Sequence, residues 1–330
     1  MKPALVVSGG GSKGAFAVGA IRYLRETRGI EFGLVAGTST GALIAPLVVT
    51  DEMGLLEDLY TSVRNADLLA PVSVQTSWKR GYLFDTKPME KLLAKTMDAE
   101  RARRVLESTV PVFLSSVNLQ TGRLTYFQAG GPRGRSEGPH ADLIRVEDRA
   151  TLLSAIVAST NQPLFMPAVC LAPKARPIRE YVDGGVREYA PLHIAIANGA
   201  QEVYAILHSP PPAGKSVREG QVKGFLAMAG RALELLTDEI GESDLQKAQL
   251  YSEATLYLEA IRHNARDLGL TSEQITQLFA GANPFVGRRP VILHVIRPES
   301  ELPCSGLQFD PKAMKTLVKW GARRAREIVG

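Results

Sequence analysis

Seven short apolar runs rich in β-branched residues recur along the chain, with helical pattern between most of them. No other feature constrains the fold as much. The runs are "ALVVSG", "GLVAGTS", "VPVFLSSVNL", "RLTYFQAG", "REYVDGG", "EVYAILHS" and "PVILHVIRP". Several are continuous rather than alternating, as expected for strands buried on both faces. Apolar residues at helical spacing follow Gly14 and Thr40, and fill "TKPMEKLLAKTM" and "PLHIAIANGA". Strands alternating with helices build a mostly parallel sheet with helices on both faces. One antiparallel pair is expected as well, because "NLQTG" reads as a hairpin connection between the third and fourth runs.

With 330 residues, 45% of them hydrophobic, the chain has ample material for a sizeable core. Its 22% of charged residues, mixed in sign, argue against general disorder. We read residues 1–330 as one domain, with 214–282 a helical excursion or cap inserted before the last strand. That stretch carries long helical pattern and no strand signal, between the breakers "SPPPAG" and "GANPFVGRRP". A basic last helix follows, with Asp310 as its N-cap and Pro311 at its first position.

The net charge of +5 suits contact with anionic surfaces such as phospholipid headgroups, but ordinary solubility explains so modest an excess. The same holds for Lys312, Lys315, Lys319, Arg323, Arg324 and Arg326 in the last helix, read as a solvated face. "VKGFLAMAGRALELL" would suit an interfacial helix, although packing of its apolar face on the core is the commoner arrangement. Cys170 and Cys304 are far apart and in no metal-ligand spacing, which disfavours a disulfide framework or zinc site and favours a reducing compartment. No apolar run approaches the roughly 20 residues of a membrane span. The expectation is a soluble, cytoplasmic protein that touches membranes only from the side.

Two glycine motifs stand at strand-to-helix junctions. "GGGSKG" satisfies G-x-G-x-x-G through Gly9, Gly11 and Gly14, the formal dinucleotide fingerprint. The second strand, however, ends in Gly37 where a ribose-binding acid belongs, and Glu31 precedes that strand. A P-loop would need Gly-Lys-Ser/Thr, and this loop reads Ser12-Lys13-Gly14. After the second strand comes "GTSTG", a G-x-S-x-G in which Gly37 and Gly41 relieve crowding around Ser39 on a sharp turn. A serine that attacks a carbonyl needs N–H donors about 3 Å from the developing oxyanion, and the glycine loop next door supplies them.

A nucleophilic serine also needs a proton acceptor. His140, His193, His208, His263 and His294 stand in no motif-like setting. Asp183, in "YVDGGVREYAP", ends a short apolar run before two glycines, and held within hydrogen-bond reach it could take the serine proton. "GGGSKG", "GTSTG" and "DGG", in that order, resemble the patatin-like phospholipases, as do "ASTNQPLFMPAV" and "DGGVREYAPLHIAIANGA". The resemblance covers about residues 3–209 and 288–325. It implies a three-layer α/β/α fold and hydrolysis of lipid acyl esters, as in phospholipase A, without metal or other cofactor. Residue by residue, it implies Ser39 as nucleophile, Asp183 as general base, and Gly9, Gly10, Gly11 and Ser12 as oxyanion hole. Lys13 stands where the family usually has a basic residue, often arginine, and is a candidate anion contact. Two rivals remain open: an α/β-hydrolase esterase using a histidine, and a nucleotide- or lipid-headgroup-binding module without chemistry.

Overall fold

The computed structural model describes residues 2–136, 141–171, 177–215, 221–280, 285 and 289–330. Its strands are β1 (Ala4–Val7), β2 (Leu34–Thr38), β3 (Ala70–Pro71), β4 (Phe84–Asp85), β5 (Val112–Asn118), β6 (Leu124–Ala129) and β7 (Ala141–Arg145), followed by β8 (Val169–Cys170), β9 (Glu180–Asp183), β10 (Glu202–Ile206) and β11 (Ile292–Ile296). The main sheet runs β11-β10-β1-β2-β5-β6-β7, while β3 and β4 form a separate two-stranded ribbon. Every pair from β11 to β5 is parallel. β5 and β6 form the expected antiparallel hairpin. Unforeseen in the sequence, β9 also runs antiparallel along the end of β5, and β8 pairs with β9.

β1, β2 and β5 are buried along their whole length, which is why their sequences are continuous apolar runs. Period-2 geometry sends alternate residues to opposite faces. Leu5 and Val7 join a core with helices α1 (Gly14–Arg22) and α2 (Thr40–Val49). Ala4 and Val6 face the other way, onto Leu192 and Ile194 of the short helix Leu192–Ala197 and onto Leu245 and Ala248. The protein is therefore an α/β/α sandwich around a mostly parallel sheet.

α3 (Met53–Ser62) and the last helix, Pro311–Val329, complete the layer around α1. Asp310 caps the last helix, accepting the Lys312 N–H at 3.1 Å. The excursion contains one 43-residue helix, Phe225–Asp267, followed by the short helix Ser272–Leu278. Among the described residues, no helix is long and apolar enough to cross a membrane.

Candidate active site

β1 and β2 lie side by side with Val7 opposite Gly37, so the loops leaving their C-terminal ends are neighbours. The chain reverses at Ser39, which takes φ 55° and ψ −118° between the end of β2 and the start of α2. A side-chain-bearing residue at positive φ is strained by on the order of 1–3 kcal/mol, and the surrounding structure must hold it there. It does so through tight backbone approach: a Cβ on Gly37 would lie 2.2 Å from the Gly41 carbonyl, and one on Gly41 would lie 2.3 Å from the Val7 carbonyl. The Ser39 N–H also donates to Ser159 Oγ at 3.1 Å. This explains why the motif has glycine on both sides of its serine.

The neighbouring loop turns through Gly10 (φ 156°) and Gly11 (φ 57°). Four residues here were expected to donate to an oxyanion, and the hydrogen bonding narrows the set. Gly9 N–H donates to the Tyr189 carbonyl (3.0 Å) and Ser12 N–H to the Gly306 carbonyl (2.9 Å), so neither is available. Among the described residues, no acceptor takes the Gly10 or Gly11 N–H, and both residues line the cavity that Ser39 lines. Lys13 lines it too.

Asp183 ends β9, almost fully buried. Antiparallel pairing on β5 sets Asp183 opposite Ser116, and its N–H donates to the Asn161 carbonyl at 2.9 Å, so the backbone around it is fixed. Its carboxylate accepts the Gly185 N–H at 2.8 Å, and the nearby Ser39 side chain favours its ionised form. Burial pushes the carboxyl up to about 6, and the Ser39 side chain and the Gly185 N–H oppose it.

Ser39 and Asp183 open into a cavity of about 810 Å³. Its walls are largely apolar, with Leu43 and Leu47 from α2, Leu56 and Leu59 from α3, Phe165, and Leu233 from the long helix. A space of this size and lining suits an apolar ligand. Among the described residues, no three His, Cys, Asp or Glu side chains are grouped to hold a metal ion.

A family model, the patatin-like phospholipase, matches residues 5–196. The chain belongs to the patatin-like phospholipase family. The matched region runs from β1 through the helix after Asp183, so it contains all three glycine motifs of this patatin-like chain. A solved structure to which it is similar is VipD from Legionella pneumophila, with 13% identity and a TM-score of 0.45. The alignment covers 99% of this chain and 66% of that one.

No histidine of the described patatin-like structure lines the cavity with Ser39. His208 lies behind the glycine loop, with Nδ1 at 2.8 Å from the Gly9 carbonyl and 3.1 Å from Ser8 Oγ. Burial lowers it to about 4, leaving it neutral at pH 7. His294 pairs with Glu202 at 3.0 Å and stacks on Tyr204. His193 and His263 are exposed, and His140 lies outside the described residues.

Sequence reading missed Tyr189. Its ring fills the space beside Gly9, where a Cβ would come within 2.6 Å of it, and it also borders Gly185 and Gly241. Only its nearness to "DGG" in sequence could have drawn attention to it.

Proposed function

We propose that this protein is a serine hydrolase that cleaves lipid acyl esters, of the phospholipase A or carboxylesterase type, through a Ser39–Asp183 dyad. One observation carries the reading: Ser39 and Asp183 line one apolar cavity, near enough that the serine side chain favours the ionised aspartate, beside Gly10 and Gly11 N–H groups that no acceptor among the described residues takes. Membership of the patatin-like phospholipase family supports the broad activity.

In this mechanism Asp183 takes the Ser39 proton as Oγ attacks the ester carbonyl carbon. The carbonyl oxygen becomes an anion and is stabilised by the Gly10 and Gly11 N–H groups. The tetrahedral centre collapses, the C–O bond to the alcohol breaks, and Asp183 returns the proton to that departing oxygen. Water then attacks the acyl-Ser39 ester with Asp183 again as base, releasing the carboxylic acid and restoring the serine. Lys13, on the cavity wall, offers a positive charge to a phosphate or to the fatty-acid product, although ammonium lacks the bidentate fork of arginine.

A lipid substrate is met at an interface, which makes this a peripheral protein in our reading. In support, Val74 and Trp78 lie one turn apart on the helix Val74–Arg80, 86% and 92% exposed, next to Lys79 and Arg80. That helix stands on the β3–β4 ribbon, where Leu83 and Phe84 donate to the carbonyl of cavity-lining Phe165 at 3.1 and 2.9 Å. The two cysteines are unpaired, as suits a cytoplasmic location.

The test is hydrolysis of p-nitrophenyl butyrate by wild type, Ser39→Ala and Asp183→Asn, each confirmed folded by circular dichroism. Asp183→Asn is expected to cost about 10²–10⁴-fold in kcat, the usual contribution of a positioned base, and Ser39→Ala, which removes the nucleophile, on the order of 10⁶-fold. Full activity in Ser39→Ala would refute the reading. Activity retained by Asp183→Asn alone would move the base to another residue. If wild type is inert to this ester, labelling of Ser39 by a fluorophosphonate separates an enzyme awaiting a lipid interface from a binding module.

A further inference from the structure

The long helix Phe225–Asp267 lies outside the region matched by the family model, yet it contacts the backbone that holds the site together. Asp244, on this helix, places a single carboxylate oxygen, Oδ2, on two successive backbone donors: the Tyr189 N–H at 2.8 Å and the Ala190 N–H at 3.1 Å. Each donor belongs to a peptide group whose carbonyl points the opposite way, because the trans peptide sets N–H and C=O on opposite sides. Those two carbonyls hold the two loops of the candidate active site. The Glu188 carbonyl accepts Thr38 Oγ1 at 3.2 Å, one residue before Ser39. The Tyr189 carbonyl accepts the Gly9 N–H at 3.0 Å, one residue before the Gly10–Gly11 donors.

From this geometry we infer that Asp244 is a positioning residue for the hydrolysis, acting through the two peptide groups of Glu188–Ala190. The inference rests on the Ser39–Asp183 reading. A charged acceptor makes shorter, stronger hydrogen bonds than a neutral one, and a peptide group held on its N–H side polarises its carbonyl. Asp244 therefore orients both carbonyls and strengthens their grip on Thr38 and Gly9. The helix does not depend on Asp244 for its own place. Glu242 pairs with Arg297 at 3.1 Å, Ser252 Oγ donates to the Val291 carbonyl at 2.5 Å, and Leu245 and Ala248 are buried against the sheet. Removing the carboxylate leaves the helix packed and the two peptide groups unheld.

The experiment compares wild type, Asp244→Ala, Asp244→Asn and the packing control Leu245→Ala, with kcat and KM on p-nitrophenyl butyrate and melting temperatures measured together. Asp244→Ala is expected to lose about 10–100-fold in kcat, the scale of a sub-ångström to 1 Å misplacement at reacting groups, with KM within about twofold. Asp244→Asn keeps a neutral acceptor and should fall between Ala and wild type. Leu245→Ala should lower the melting temperature and leave kcat per folded molecule unchanged.

Wild-type kcat in Asp244→Ala overturns the inference, and so does an equal kcat loss in Leu245→Ala. A rise in KM at constant kcat would assign Asp244 to the cavity wall instead, and also overturns it. Should the alanine variant not fold, the asparagine variant decides: a severalfold drop in kcat at constant KM supports positioning, and wild-type kcat refutes it. Activity in Ser39→Ala would sink the underlying reading, whereas an indifferent Asp244 beside an essential Ser39 sinks only this inference.

Discussion

At Asp183 two effects pull the carboxyl in opposite directions, and burial wins, raising it to about 6. The carboxylate form, which the proposed dyad needs to accept the Ser39 proton, then predominates above that pH. On the proposed dyad, the rate with a soluble ester should rise with a midpoint near pH 6 and hold its plateau through neutrality, as a pH–rate profile of kcat/KM would display. Stability should respond with the opposite sense. A carboxyl whose pKa is raised by folding binds its proton more tightly in the native state, so its contribution is present in acid and lost as pH rises through 6. Asp183→Asn should therefore be more stable than wild type at pH 8, by on the order of 2–3 kcal/mol, with the gap closing as the pH falls towards 4. Urea unfolding of both proteins at pH 4, 6 and 8 checks it, and a gap that widens in acid would contradict it.

Between elements, the tightest packing is that of α1 on the last helix. A Cβ on Gly19 would lie 1.8 Å from the Val318 carbonyl, and one on Gly321 would lie 1.8 Å from the Phe16 carbonyl. Backbone meets backbone at both points, so no side chain can swing aside. Gly321→Ala should cost about 1–3 kcal/mol, the usual range for overpacking, seen as a lower urea midpoint at unchanged m-value. Packing of this kind also marks what the sequence could and could not convey. Gly37, Ser39 and Gly41 announced themselves because a strained turn makes local demands on residue type. The runs of β1, β2, β5 and β10 were readable because burial on both faces leaves few polar residues. The antiparallel course of β9, the Gly306 carbonyl that takes Ser12 N–H, and the Asp244 carboxylate depend on pairing between distant residues, for which no local pattern exists. For that reason the glycine loop was expected to offer four donors, and among the described residues it leaves the Gly10 and Gly11 N–H groups without an acceptor.

Over the whole molecule, charge and apolar surface are distributed unevenly. The basic last helix spends part of its charge internally: Arg324 donates to the Arg297 carbonyl and pairs with Glu299 and Glu327. On the long helix, Leu233 turns to the cavity while Met228, Leu235 and Leu236 are exposed. If Val74 and Trp78 form the first contact with a lipid surface, Trp78→Ser should weaken sedimentation with vesicles containing anionic phosphatidylglycerol by about three- to tenfold. Hydrolysis of soluble p-nitrophenyl butyrate should stay within twofold. Equal vesicle binding by the variant would remove this surface from the reading.

The carbonyl of Gly306 that holds Ser12, and Gly321 against Phe16, give the order of synthesis a meaning. Ser39 and Asp183 are synthesised long before residue 306, so until that residue exists the glycine loop beside them lacks the carbonyl that holds its Ser12 N–H. On the proposed mechanism, the glycine loop takes its full set of backbone contacts only once the segment around Gly306 has been made.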